Sequence, residues 1–203
     1  MTRRDCLAAG VVVTMILVAL MTAGCSTYAA ARYSISPETV SALRAYRPVT
    51  VAVGPFTGAR PGESEITCRA VGPIKTPDGE PFEEFVRRAL IAELTIAELY
   101  AASAPITLTG HLQRLDFTSG VYFSDAAWDL ALTLKSSNGK SLVANEHYAF
   151  KASYGGDAGC QNTAQALMPA IQEPRRKGGA RSSLPGALAV NIFPTEKLGV
   201  RTA

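Results

Sequence analysis

Histidine is scarce in this chain, with only His111 and His147 among 203 residues. Together with the cysteines they lack the close paired spacing of a zinc site, so no resident metal is expected. A phosphate-binding loop is lacking too. Gly139-Lys140-Ser141 matches the end of one, but Leu134 stands where its first glycine belongs, and no helix follows. Serines are plentiful, yet none sits in a nucleophile elbow. Asp116, Asp125 and Asp129 are spaced unlike a calcium loop, and no pair of carboxylates declares the separation a glycosidase needs. There is no basic groove with interleaved aromatics, which argues against nucleic acid as a partner. With these absences no catalytic residue is assigned, and an enzyme is not expected.

What the chain does have begins at residue 1. Met1-Thr2-Arg3-Arg4-Asp5 carries a small positive balance, and Cys6 to Ala23 then run almost without a polar side chain. A basic start, an apolar run and a small-residue exit describe a signal peptide. The run is also nearly long enough to cross a bilayer, which leaves an uncleaved anchor as the alternative. The exit, Thr22-Ala23-Gly24-Cys25, resembles the bacterial lipobox. Ala23 and Gly24 are small, and Thr22 departs from the usual aliphatic residue. The resemblance implies recognition of Thr22, Ala23 and Gly24 by the signal peptidase. It also implies a diacylglyceryl group and an N-acyl chain such as palmitate on Cys25, with no other cofactor. Ser26, in place of aspartate, implies sorting to the outer membrane in a two-membrane cell.

With residues 1–24 removed and Cys25 acylated, Cys68 and Cys160 remain as an even pair in an oxidising compartment. A disulfide between them is expected, worth about 4 kcal/mol by loop-closure entropy. The rival is a metal set made of Cys68, Cys160, His111 and His147. Charge is unevenly placed. Residues 26–173 hold 12 Lys/Arg and 15 Asp/Glu, whereas residues 174–203 hold six Lys/Arg and one Glu.

Four segments follow: residues 1–24 as signal peptide, 25–47 as lipidated tether, 48–173 as the folded domain and 174–203 as a basic tail. Ser36-Pro37-Glu38 can start a short helical piece within the tether. Val49, Val51 and Val53 mark a first strand, and an extended segment around Ile66 to Val71 carries Cys68. Phe82, Phe85, Val86, Ala89, Leu90, Leu94 and Ala97 recur at three and four residues, predicting an amphipathic helix over 81–100. Leu108 and Leu112 share one parity and Leu115 and Phe117 the other, predicting a bulge near Gln113-Arg114. Two further alternating runs flank Asn138-Gly139, a hairpin signal. Ala164, Leu167, Met168 and Ile171 mark a second helix, with Pro169 inside it. The fold class expected is α+β, one antiparallel-rich sheet with two helices packed on one face. The tail from Pro174 lacks an apolar period. It reads either as a basic extension or as the product of a frame disruption in the coding sequence.

The layout resembles small bacterial envelope lipoproteins of the transport-auxiliary or assembly-auxiliary type, and uncharacterised lipoproteins with two late cysteines. The resemblance rests on Thr22 to Ser26, and beyond it on the early strand, the 82–100 helix and the Asn138-Gly139 hairpin. It implies a membrane-anchored, periplasm-facing accessory factor that binds another envelope protein, with the bilayer as its second partner. The competing expectation is a carrier or sensor of lipid or another apolar ligand, held between helix and sheet.

Overall fold

The computed structural model describes residues 27–120 and 125–172. In chain order the elements are β1 (Tyr28–Ala29), α1 (Pro37–Arg44), β2 (Ala52–Gly58), β3 (Glu65–Cys68), β4 (Gly72–Lys75), α2 (Phe82–Ile96), β5 (Thr107–Ser119), β6 (Ala126–Ser136), β7 (Ser141–Phe150) and α3 (Gly156–Gln172). The strands form two sheets, ordered β1-β4-β3 and β2-β5-β6-β7.

This arrangement corrects the expected single antiparallel-rich sheet with two helices on one face. Among the described residues there are two mixed sheets and three helices. Each sheet contains a parallel pairing, β1 with β4 and β2 with β5. The cause of the second is α2. A helix between two strands returns the chain to the end where it started, so β5 enters beside β2 in the same direction. β1 is too short to show a period, with only Tyr28↔Ile74 and Ala29↔Lys75 in register. Pro73 reads as a breaker, yet β1 reaches only Ile74 and Lys75, so no ladder on that side requires a Pro73 amide.

Local chemistry sets several boundaries. Ser36 caps α1, its hydroxyl accepting from the Thr39 amide, and Pro37 opens the helix. α2 stops at Ile96 because Glu98 takes φ +63. The Leu99 amide then bonds the Leu94 carbonyl at 2.8 Å and the Glu98 amide bonds the Thr95 carbonyl at 3.0 Å. That is a Schellman motif without glycine, sealed by the contact of buried Leu94 and Leu99. Arg47 holds the strained residue, with a 2.9 Å ion pair to Glu98 and a 2.9 Å bond to the Ala97 carbonyl. The β5–β6 register shifts between Leu112 and Arg114, where the parity change placed a bulge. Asn138-Gly139 turns β6 into β7, with Gly139 at φ +87.

α2 and α3 both border the face of the larger sheet carrying Phe56, Leu132 and Leu134. Trp128 is fully buried there, and its indole N–H donates to the Thr163 carbonyl of α3 at 2.8 Å. α3 also touches the smaller sheet. Cys160 is bonded to Cys68 at the end of β3, with Cα atoms 5.8 Å apart. Tyr28, Ala30, Val40 and Leu43 belong to the same core.

Arg69 completes this junction. It and Ala70 occupy the β3–β4 turn with φ +48 and +54, a left-handed pair that ordinary side chains rarely adopt. Its guanidinium bonds Ser119 Oγ at 2.8 Å, the Gly120 carbonyl at 2.9 Å and the carbonyls of Ser153, Tyr154 and Gly155 at 3.0–3.1 Å. A further bond reaches the Ser119 carbonyl. Gly159 makes room for this group, since a Cβ there would sit 2.4–2.6 Å from the guanidinium atoms. An arginine tip normally yields to such a clash, but here it is held by two loops at once. Gly159→Ala is therefore expected to cost about 1–3 kcal/mol in urea unfolding. Gly155→Ala, whose added carbon meets only Ser153 Oγ at 3.9 Å, serves as control. Equal stability of the two variants would show that Arg69 moves aside freely.

Candidate functional site

The residues expected to direct export and lipidation, Thr22, Ala23, Gly24, Cys25 and Ser26, lie outside the described residues, as do the 1–24 segment and the 174–203 tail. Cys68 and Cys160 are brought together as a disulfide, both fully buried. That removes them from the rival metal set, and the histidines are elsewhere. His111 pairs across strands with Thr133, and His147 with Asp129. Among the described residues no group of three His, Cys, Asp or Glu side chains is placed to hold a metal ion. No helix among them is long and apolar enough to cross a membrane.

The face of the larger sheet opposite α2 and α3 is polar. The Thr57 hydroxyl lies 2.8 Å from His111 Nδ1, Gln113 donates to Thr133 at 2.6 Å, and His147 Nδ1 lies 2.8 Å from Asp129, which Arg114 also approaches at 3.6 Å. Val143 on β7 is 57% exposed. On its outer side β7 has no strand partner among the described residues.

Two clefts lie at the margins. One of about 310 Å³ is walled by Arg60, Glu63, Glu83, Arg114 and Asp116, and one of about 210 Å³ by Arg32, Asp78, Glu80 and Arg88. In the first, Arg60 pairs with Glu63 at 3.0 Å. Partial burial nonetheless raises the Glu63 carboxyl above the usual range, with Asp116 and Glu83 adding to the effect and Arg60 opposing it. In the second, Arg32 pairs with Asp78 at 2.6 Å and Arg88 with Glu80 at 3.0 Å.

A third recess lies between α2, α3 and the sheet. Its volume is about 30 Å³, and Phe56, Val86, Ala89, Leu90, Leu132, Leu134 and Ile171 make most of its wall. One group in it is out of character. Glu93, four residues after Ala89 and four before Ala97 on the apolar stripe of α2, is 1% exposed. Its Oε1 accepts from the Tyr33 hydroxyl at 2.7 Å and the Ser36 amide at 2.8 Å. Oε2 is buried with no hydrogen-bond partner. Burial raises the Glu93 carboxyl above its ordinary value, against the lowering effect of the Ser36 and Tyr33 bonds. Burial and the carboxylate beside it push the Tyr33 phenol up as well, so that it stays protonated and donating. The sequence carries a signal for it that the reading of α2 passed over: the three-and-four spacing of Val86, Ala89, Leu90 and Ala97 puts Glu93 on the same buried face.

No family model matches this chain, and no curated protein matches it. Among solved structures it is similar to the crystal structure of protein XCC0632 from Xanthomonas campestris, of the DUF330 family. The two are 16% identical, the match covers 71% of this chain and 89% of that one, and the TM-score is 0.49.

The buried carboxylate sets a stability prediction. A Glu with a raised folded-state value penalises folding most where it must ionise, above that value, and the penalty disappears as pH falls below the unfolded value. Glu93→Gln keeps an acceptor for Tyr33 and Ser36 but removes the charge. It is expected to stabilise the protein by roughly 1 kcal/mol at pH 7.5, with the gain shrinking to nothing near pH 4. Thermal unfolding of both proteins across this range checks it, and a variant equally destabilised at every pH would contradict it.

Proposed function

We propose that this chain is a lipid-anchored, periplasm-facing lipoprotein of the outer membrane that serves as a protein-binding accessory factor in envelope assembly or transport. The observation that carries the reading is Thr22-Ala23-Gly24-Cys25 at the end of the Cys6–Ala23 apolar run. The buried Cys68–Cys160 bond supports it, since such bonds persist where the surroundings are oxidising. On this reading Cys25 bears the diacylglyceryl and N-acyl groups. Several acyl chains on one residue make a stable anchor, where a single chain binds only marginally. Tyr28, in register with Ile74, follows the anchor by three residues, so the folded body stays within about 10 Å of its attachment point.

The partner surface is the outer edge of β7 with the uncovered sheet face beside it. An unpaired edge offers its amides and carbonyls to an added strand, and Val143 gives it an apolar side chain. The chain acts by binding, without a catalytic step. Carriage of a lipid between helix and sheet is disfavoured by the recess of about 30 Å³, against the roughly 300 Å³ or more of a small-molecule pocket.

Cys25→Ser separates the anchor from the rest. The variant should lose the lipid mass of the mature protein and move from the membrane to the soluble or precursor fraction. Unchanged fractionation together with an unmodified mass in the parent protein would remove the reading. For the surface, a partner copurified from detergent-solubilised membranes should be lost on Val143→Glu without a change in thermal stability. Retention of that partner would place its binding elsewhere.

A further inference from the structure

One end of the molecule gathers three pieces of chain around Arg69: the β3–β4 turn, Ser119 and Gly120 at the close of β5, and Ser153 to Gly155 ahead of α3. β1 opens at the same end. It runs parallel to β4, so its start faces the Gly72 side of β4, next to that turn. The Tyr28 hydroxyl also donates to Asp157 in the first turn of α3. Tyr28 is the third residue after Cys25, and three residues reach about 10 Å at most. We propose that this end of the fold, with Tyr154 exposed on it, rests in the headgroup layer of the bilayer that the Cys25 anchor enters. The inference rests on the lipoprotein reading and adds an orientation to it.

The surface chemistry of this end fits a lipid interface. Tyr154 is 76% exposed, the most exposed large hydrophobic side chain among the described residues. A ring that is apolar in body and polar at its hydroxyl suits the headgroup level, with acyl chain on one side and water on the other. The sheet rows nearest this end are aromatic too. Phe117 lies 4.8 Å from Trp128, and Tyr148 stacks on Phe150 at 6.5 Å. Charge is sparse: the Arg69 guanidinium is taken up by carbonyls and Ser119, and Asp157 by Tyr28. The exposed Lys151 is placed to meet lipid phosphates. The opposite end of the large sheet lies about 40 Å away along β5. It carries exposed Lys135 and the Arg47–Glu98 pair. β7 therefore runs toward the bilayer, with its Ser141 end outermost.

The test uses the mature lipidated protein in phosphatidylcholine–phosphatidylglycerol vesicles. Tyr154→Trp and Ile96→Trp each add an indole at an exposed position, one at either end of the fold, over the shared background of buried Trp128. Lipids brominated near the headgroup should quench the added emission of Tyr154→Trp by roughly half, and leave that of Ile96→Trp unchanged. Equal quenching of the two, or none of Tyr154→Trp, would overturn the proposal. The unaltered protein in lipid nanodiscs gives a second readout. A lipid with a gadolinium-bearing headgroup should broaden the Ala70 methyl resonance and leave the Ile96 methyls sharp, and equal or reversed broadening would also overturn it. Intact mass and flotation with the vesicles separate this inference from the reading beneath it. A protein that carries its acyl mass and floats, yet fails both measurements, keeps the anchor and loses the orientation. One without acyl mass loses both.

Discussion

The Cys68–Cys160 bond joins the turn of the small sheet to the start of α3, and α3 in turn lies on the large sheet through Trp128 and Thr163. The Tyr28 hydroxyl of β1, donating to Asp157, is a second tie between the small sheet and α3. The disulfide closes a separation of 92 residues, which by loop-closure entropy is worth about 4 kcal/mol. Arg69, the residue after Cys68, extends the same point of attachment to the β5–β6 and β7–α3 connections. One covalent link and one guanidinium, together with the Tyr28 hydroxyl donating to Asp157, thus hold the start of α3.

The strained backbone lies next to these attachments. Arg69 and Ala70 hold left-handed conformations that would cost on the order of 1–3 kcal/mol each if nothing opposed them. The disulfide on one side and six hydrogen bonds on the other keep them there. Glu98 at the end of α2 is handled in the same way, with Arg47 bonded to its carboxylate and to the preceding carbonyl. Glu93 differs. Its first oxygen ties α2 to the cap of α1, but its second is buried without a hydrogen-bond partner.

What could be read from the chain follows from the periods involved. The α2 stripe, the β5 bulge and the Asn138-Gly139 hairpin are each local patterns, and each appears where the residues put it. The pairing of β2 with β5 was not legible, because both strands show the same alternation whether their neighbour runs with them or against them. β1, of two residues, has no period at all. Pro73 hid β4, since its tolerance depends on how far β1 extends. The Cys68–Cys160 pair was legible by counting once Cys6 and Cys25 had been assigned elsewhere. The burial of Glu93 was legible in the α2 spacing, but its bonding was not, because Tyr33 and Ser36 arrive from an element about sixty residues away.

The junction at α3 is tested most directly by native-state hydrogen exchange on the Cys68→Ser, Cys160→Ser double variant. If the disulfide is what binds α3 to the small sheet, the amides of α3 and of β3–β4 should lose protection together, while those of α2, β2 and β5 keep theirs. Protection that is unchanged in α3, or lost evenly throughout the protein, would contradict this account.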